Sequence, residues 1–157
     1  MNIDYQLLKA LHVIGAIIFI GNIIVTAFWK IFADRTRDAK IVAFAQRLVI
    51  VTDFVFTSLG AGLVLITGLL MAILFYENFM TIKWIVWGMG LFVLSGLIWV
   101  SLLIPIQIKQ TQLSRQFEID NHIPDHYWRL GRMWYILGTT AIILPLLNIY
   151  FMVYKPI

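Results

Sequence analysis

Four apolar runs, each long enough to cross a bilayer, constrain this chain more than any other feature. They cover about residues 7–31, 48–76, 84–108 and 133–154. A crossing helix needs roughly 20 apolar residues. No ten-residue alternating strand pattern appears, which argues against a barrel. Little chain is left between the runs. The expected fold class is therefore all-α: an integral membrane four-helix bundle, with 1–157 as a single transmembrane domain. Composition agrees, at 61% apolar and 13% charged, against about 45–50% and about 25% in soluble domains.

The placement of charge sets the expected topology. The first and third loops and their edges carry Lys30, Arg35, Arg37, Lys40, Arg47, Lys109, Arg115, Arg129 and Arg132, whereas the other side carries Lys9, Lys83 and Lys155. Basic loops stay cytoplasmic, so both termini are expected outside, that is, periplasmic or extracellular. A bacterial inner (plasma) membrane fits, since no organelle transit signal is present. The first run follows an acidic Asp4 and lacks a small-x-small cleavage site, so it reads as a retained helix. The chain has no cysteine, which excludes disulfides, thiolate metal sites and Cys-x-x-Cys-His haem attachment. Its basic residues form no stripe with interleaved aromatics, so no nucleic-acid partner is expected.

Helical spacing divides the first run into two faces. Leu8, His12, Gly15, Phe19, Asn22 and Thr26 share one stripe, with Ile, Val and Ala opposite. The second run places Asp53, Thr57, Gly60, Val64, Thr67 and Met71 on one stripe. An ionisable residue in a crossing helix faces the bundle and has a partner. For Asp53 that partner is expected to be a cytoplasmic-side base, with a proton path as the sharper alternative. Gly60, Gly62 and Gly68 suit close helix approach. Helix is also expected outside the apolar runs, over 40–45 and 107–117. Residues 121–125, with Pro124, read as a turn. The fourth helix is expected to start near Arg132 and to be kinked by Pro145. His122 and His126 flank Pro124 and read as solvated.

His12 is the only histidine in an apolar run. It lies about 7 Å into the first helix from the outer end, at 1.5 Å per residue. Met71 lies at a similar depth, and Lys83 and Met152 lie near the same edge. Two readings fit His12: an imidazole bonded to a neighbouring helix, or an axial haem or metal ligand in a bundle core. Gly15 and Gly90 suit either a flat macrocycle or close packing. His12 would bind the iron, with Lys83, Met71 or Met152 available as a second donor. Histidine with thioether also suits Cu(I).

The opening LLKALHVIGAIIFIG resembles that of the HemJ-type protoporphyrinogen oxidases, small four-helix bacterial membrane proteins grouped with CopD-like membrane domains. LGAGLVLITGLLMA in the second helix is similar, as are Ile82-Lys83-Trp84 and the Lys155-Pro156 pair. The resemblance runs the length of the chain. It implies haem b, held by His12 and Lys83, with oxidation of a porphyrinogen and electrons passed to a membrane acceptor. The last helix region, LGRMWYILGTTAIILPLLNIY, lacks the family's Asn-Glu pair, so the resemblance carries fold and haem site further than activity. The function expected is thus a membrane haem b-binding oxidoreductase or electron-transfer component, seated in lipid as a homodimer. The alternative is a non-enzymatic membrane protein, either a metal or small-solute transporter or a subunit of a larger complex.

Overall fold

A computed structural model describes residues 4–155. Pro156, half of the carboxyl-terminal Lys-Pro pair, lies outside the described residues, as do residues 1–3. Helix α1 spans Tyr5–Thr36 and begins where the Asp4 carboxylate accepts the Gln6 amide at 2.8 Å. It stops at Arg37, whose left-handed backbone (φ 56°) ends the helical repeat. The next residue, Asp38, caps α2 (Ala39–Thr52) by accepting the Lys40 and Ile41 amides. Two residues therefore reverse the chain. A π-helical turn, Asp53–Thr57, joins α2 to α3 (Ser58–Phe75) in one continuous rod. After a short connection with a 3₁₀ turn at Phe79–Thr81, the pattern repeats. Helix α4 (Lys83–Ile98), a second π-helical turn (Trp99–Leu103) and α5 (Ile104–Asp120) form another rod. Asn121, again left-handed at φ 54°, ends it, and α6 runs over Asp125–Tyr154. No strand occurs among the described residues.

These are the four expected crossings, each extended beyond its apolar run. The rods contain 32, 37, 38 and 30 residues, or about 45–57 Å at 1.5 Å per residue, against a hydrocarbon core of about 30 Å. The overhang lies mainly at the end where α1 meets α2 and α5 meets α6, here called the basic end. The other end carries both termini and the α3–α4 connection and is called the terminal end. Only 17% of the most apolar window in each of the first three rods is buried, and 11% in the fourth. The remaining apolar surface, including Ile17, Phe28, Phe54, Ile66 and Leu97, is matched by lipid tails and not by water.

Helix pairing differs between the two ends. At the basic end α2 packs on both α1 and α5. Val42, Ala43, Phe117 and Tyr127 form a closed core there. Toward the termini, α1 pairs with α3 and α4 with α6, leaving a seam between the pairs. The α1–α3 pair is held by two glycines. A Cβ on Gly60 would come within 2.6 Å of the Phe19 backbone nitrogen, and one on Gly15 within 2.8 Å of the Leu63 Cβ. Backbone meets backbone here, as small residues allow in membrane bundles.

Several expectations are corrected. Gly62 and Gly90 face open space and have no packing role. Gly15 is used by the α1–α3 crossing. Helix α6 starts at Asp125, about two turns before Arg132, because its first turns bury Tyr127, Leu130 and Trp134. His126 therefore lies in a helix and His122 in the turn before it; both are exposed.

Candidate functional site

The seam holds two cavities. The two expected stripes face each other across the α1–α3 pair, and His12, Phe19 and Thr26 of the first and Asp53, Val64 and Met71 of the second reach the cavities. The cavity nearer the termini has a volume of about 280 Å³. His12, Gly68, Met71, Gly88, Asn148 and Met152 are among its lining residues, with Lys9, Tyr76, Trp84 and Lys155 toward the terminal end. Thus His12, Met71 and Met152 come together. Lys83 is exposed on the first turn of α4 and does not line the cavity, although Trp84 and Ile85 beside it do. Val13, Val93 and Val153, at the margins, are exposed, so the cavity opens sideways toward lipid.

Neighbouring groups hold the imidazole in place. His12 Nδ1 lies 3.1 Å from Thr67 Oγ1. That hydroxyl donates its single hydrogen to the Leu63 carbonyl at 2.5 Å. The hydroxyl is then available to Nδ1–H as an acceptor, and the imidazole makes a further hydrogen bond to the Val64 backbone. The ring lies against Gly68, where a Cβ would come within 3.0 Å of Cε1. A side chain at 68 would push the imidazole out of place. On the opposite pair, Gly88 makes room for the Met152 methyl and the Asn148 amide. Asn148 Oδ1 is buried with no hydrogen-bond partner among the described residues. At the rim, the Lys155 ammonium stands 5.2 Å over the Trp84 ring. Lys9 adds a second cation from α1. No group of three or more His, Asp or Glu side chains suited to a metal ion occurs among the described residues.

The second cavity, about 160 Å³, lies deeper and is lined by Thr26, Asp53, Ser95, Trp99, Gln107 and Trp134, among others. Phe92 lines both cavities and meets Phe19 edge-on, ring centres 6.1 Å apart. This aromatic pair separates them. Both π-helical turns contribute to the deeper cavity, through Asp53 and through Trp99 and Leu103. Such turns are rare, and those that occur are frequently at functional sites.

Asp53 differs from its expected role. Among the described residues it makes no ion pair. Its Oδ1 accepts from Asn22 Nδ2 at 3.1 Å and from Thr57 Oγ1 at 3.2 Å, and its Oδ2 accepts from Gln107 Nε2 at 2.6 Å. The expected bases are engaged elsewhere or exposed: Arg47 forms a two-pronged ion pair with Glu118, and Arg129 and Arg132 face outward.

The buried cation is Lys30, counted from sequence as a loop-edge residue. It is fully buried and pairs with Asp34 at 3.1 Å. Its ammonium also donates to the Tyr127 hydroxyl at 3.0 Å and lies over the Tyr127 and Trp134 rings. Tyr135 donates to the same Asp34 carboxylate at 2.8 Å. The (i, i+4) Lys–Asp spacing was visible in the sequence. The burial was not, because it comes from α6 starting two turns early. Asn148, a lone amide in an apolar run, carried its own signal and was also missed.

No curated protein and no solved structure matches the chain. A family profile described as "predicted integral membrane protein (DUF2269)" matches residues 6–156, which covers all four crossings and both cavities. The chain therefore belongs to that family of integral membrane proteins.

Proposed function

We propose that the terminal-end cavity is a haem b site and that the protein is an oxidoreductase or electron-transfer component of a membrane. The observation that carries this reading is the Thr67–His12 pair. With Nδ1–H held by its neighbours, Nε2 would be a neutral donor; metal-bound histidines commonly have their other ring N–H held by a hydrogen bond. The residues present suit the group. Gly68 seats the imidazole, Met71 and Met152 bring thioethers, and most of the lining is apolar. Lys9 and Lys155 put two cations at the rim, where the carboxylates of a porphyrin would seek partners. Its volume, about 280 Å³, is just below the usual range of small-molecule sites, about 300–1,000 Å³, and the open side would let a larger guest extend toward lipid.

A b-type haem supplies one-electron chemistry at its iron. The protein's part is to ligate through His12, to fix the imidazole through Thr67, and to neutralise carboxylates through Lys9 and Lys155. A thioether from Met71 or Met152 is the second donor favoured by position in the cavity. Lys83 is the donor implied by the HemJ-type resemblance. The site lies on the side expected to face the periplasm of a bacterial inner membrane.

Visible spectra of the detergent-purified protein, oxidised and reduced, test the reading. A Soret band is expected, lost in His12→Ala and shifted in Thr67→Val. Substituting Met71, Met152 and Lys83 one at a time identifies the second donor by which change moves the band. A colourless protein that gains no Soret band when haem is added would sink the proposal.

A further inference from the structure

The deeper cavity carries an inference that does not depend on what occupies the other one. Asp53 is buried, and exposed Phe54, Val55 and Phe56 on the same turn surround it with lipid-facing surface. An acidic group at such a position is retained for a partner or a proton. Its immediate neighbours are neutral: Asn22 and Thr26 on α1, Thr57 on its own rod, Gln107 on α5, and Trp99, Trp134 and Tyr135 around the cavity.

Gln107 can serve both protonation states. With Nε2 toward Asp53 it donates to a carboxylate. Turned by half a rotation, it presents Oε1 and accepts from a carboxylic acid, and the 2.6 Å separation suits an O–H···O bond. The other end of this amide, Oε1 as oriented, is buried and unpartnered. One turn along α5, Gln110 is fully buried with both amide ends unpartnered. Its nitrogen faces Gly131, where a Cβ would stand 3.5 Å away. Two buried amides with free donors and acceptors are the surroundings that hold internal water.

Beside these amides a set of hydrogen-bonded side chains runs to the basic end, joined to α5 at the Gln107 main-chain carbonyl and at Thr111. Gln46 Nε2 donates to the Gln107 carbonyl and to Thr111 Oγ1, each at 3.5 Å, and its Oε1 accepts from the Tyr127 hydroxyl at 3.3 Å. Tyr127 accepts from Lys30, and Lys30 pairs with Asp34, which is partly exposed. We propose that Asp53 is a proton-binding site that exchanges with solution at the basic end through water bound by the free amide ends of Gln107 and Gln110, beside the side chains of Gln46, Tyr127, Lys30 and Asp34. The step is balanced: a hydronium in that water gives one proton to the Asp53 carboxylate and becomes water, and the Gln107 amide rotates to accept the new O–H. The protonated acid then faces the deeper cavity, which has a proton donor at its wall.

Infrared spectra of the full-length protein in lipid nanodiscs, recorded across a pH series in water and in deuterium oxide, test this. A carboxylic-acid carbonyl band is expected that titrates, shifts on deuteration, moves when aspartate is carbon-13 labelled, and is absent in Asp53→Asn. The isotope label makes the assignment without a mutation, should that variant fail to fold; Asp53→Glu should displace the band without abolishing it. Gln110→Leu and Gln46→Leu should keep the band but slow its deuteration by about tenfold or more, as expected for loss of a relay position. No labelled aspartic-acid band at any pH would overturn the proposal. Unchanged deuteration in both glutamine variants would overturn the path. A band that appears only when sodium is withdrawn would make the site a sodium site instead.

Discussion

Lys30 is closed off from bulk solvent, and its ammonium group lies between the Asp34 carboxylate, the Tyr127 phenol and the Trp134 ring. Removing one member of a buried pair costs more than replacing both, because the survivor is left as an uncompensated charge. Lys30→Met should therefore lower stability by about 3 kcal/mol, near the lower end of the range for buried pairs, since Asp34 keeps Tyr135 and some solvent. The double variant Lys30→Met, Asp34→Asn should recover much of that loss. Thermal unfolding in one detergent, followed by circular dichroism, gives the comparison; a double variant no better than the single would contradict the pairing. At this scale the sequence was uneven as a guide. His12 and Asp53 stood out because each is an ionisable group inside an apolar run. Lys30 did not, since nothing local distinguishes a buried cation from one at a helix edge.

Helices were the most legible level. Spacing alone put His12, Gly15, Phe19, Asn22 and Thr26 on one face of α1, and that face packs against the second rod. Asp53, Thr57, Gly60 and Thr67 supply the opposing face of that rod. Less legible was where helices end, because that depends on surfaces elsewhere: α6 begins at Asp125 to bury Tyr127, Leu130 and Trp134. Glycine roles were also hidden, as a composition cannot say which glycine meets a neighbour. The structure separates them. Gly60→Val should pry α1 from α3 and lower the melting temperature sharply or abolish folded yield, because the nearest atoms are backbone. Gly62→Ala and Gly90→Ala face open space, and should be neutral or stabilising by up to about 1 kcal/mol, the usual difference between these residues in a helix. A series in which all three behave alike would count against the α1–α3 crossing.

For the molecule as a whole, the missing cysteines become an experimental advantage. Any cysteine introduced is the only one present. The charge distribution predicts both termini outside, in which case Asn78→Cys in the α3–α4 connection should react with an impermeant maleimide on intact cells. His122→Cys in the α5–α6 turn should react only after permeabilisation. The reverse pattern would invert the topology and move the His12 cavity to the cytoplasmic half. Both termini share an end because four crossings return the chain to its starting side, which the four apolar runs already implied. The seam they did not imply: it follows from α1 pairing with α3 and α4 with α6 while the basic end stays closed. Its terminal-end cavity opens between exposed Val13, Val93 and Val153, and this changes how binding there must be measured. A hydrophobic guest reaches such an opening after dissolving in the bilayer, so the concentration it obeys is a mole fraction among lipids. Dilution with buffer would leave occupancy nearly constant, whereas adding empty vesicles would drain the site.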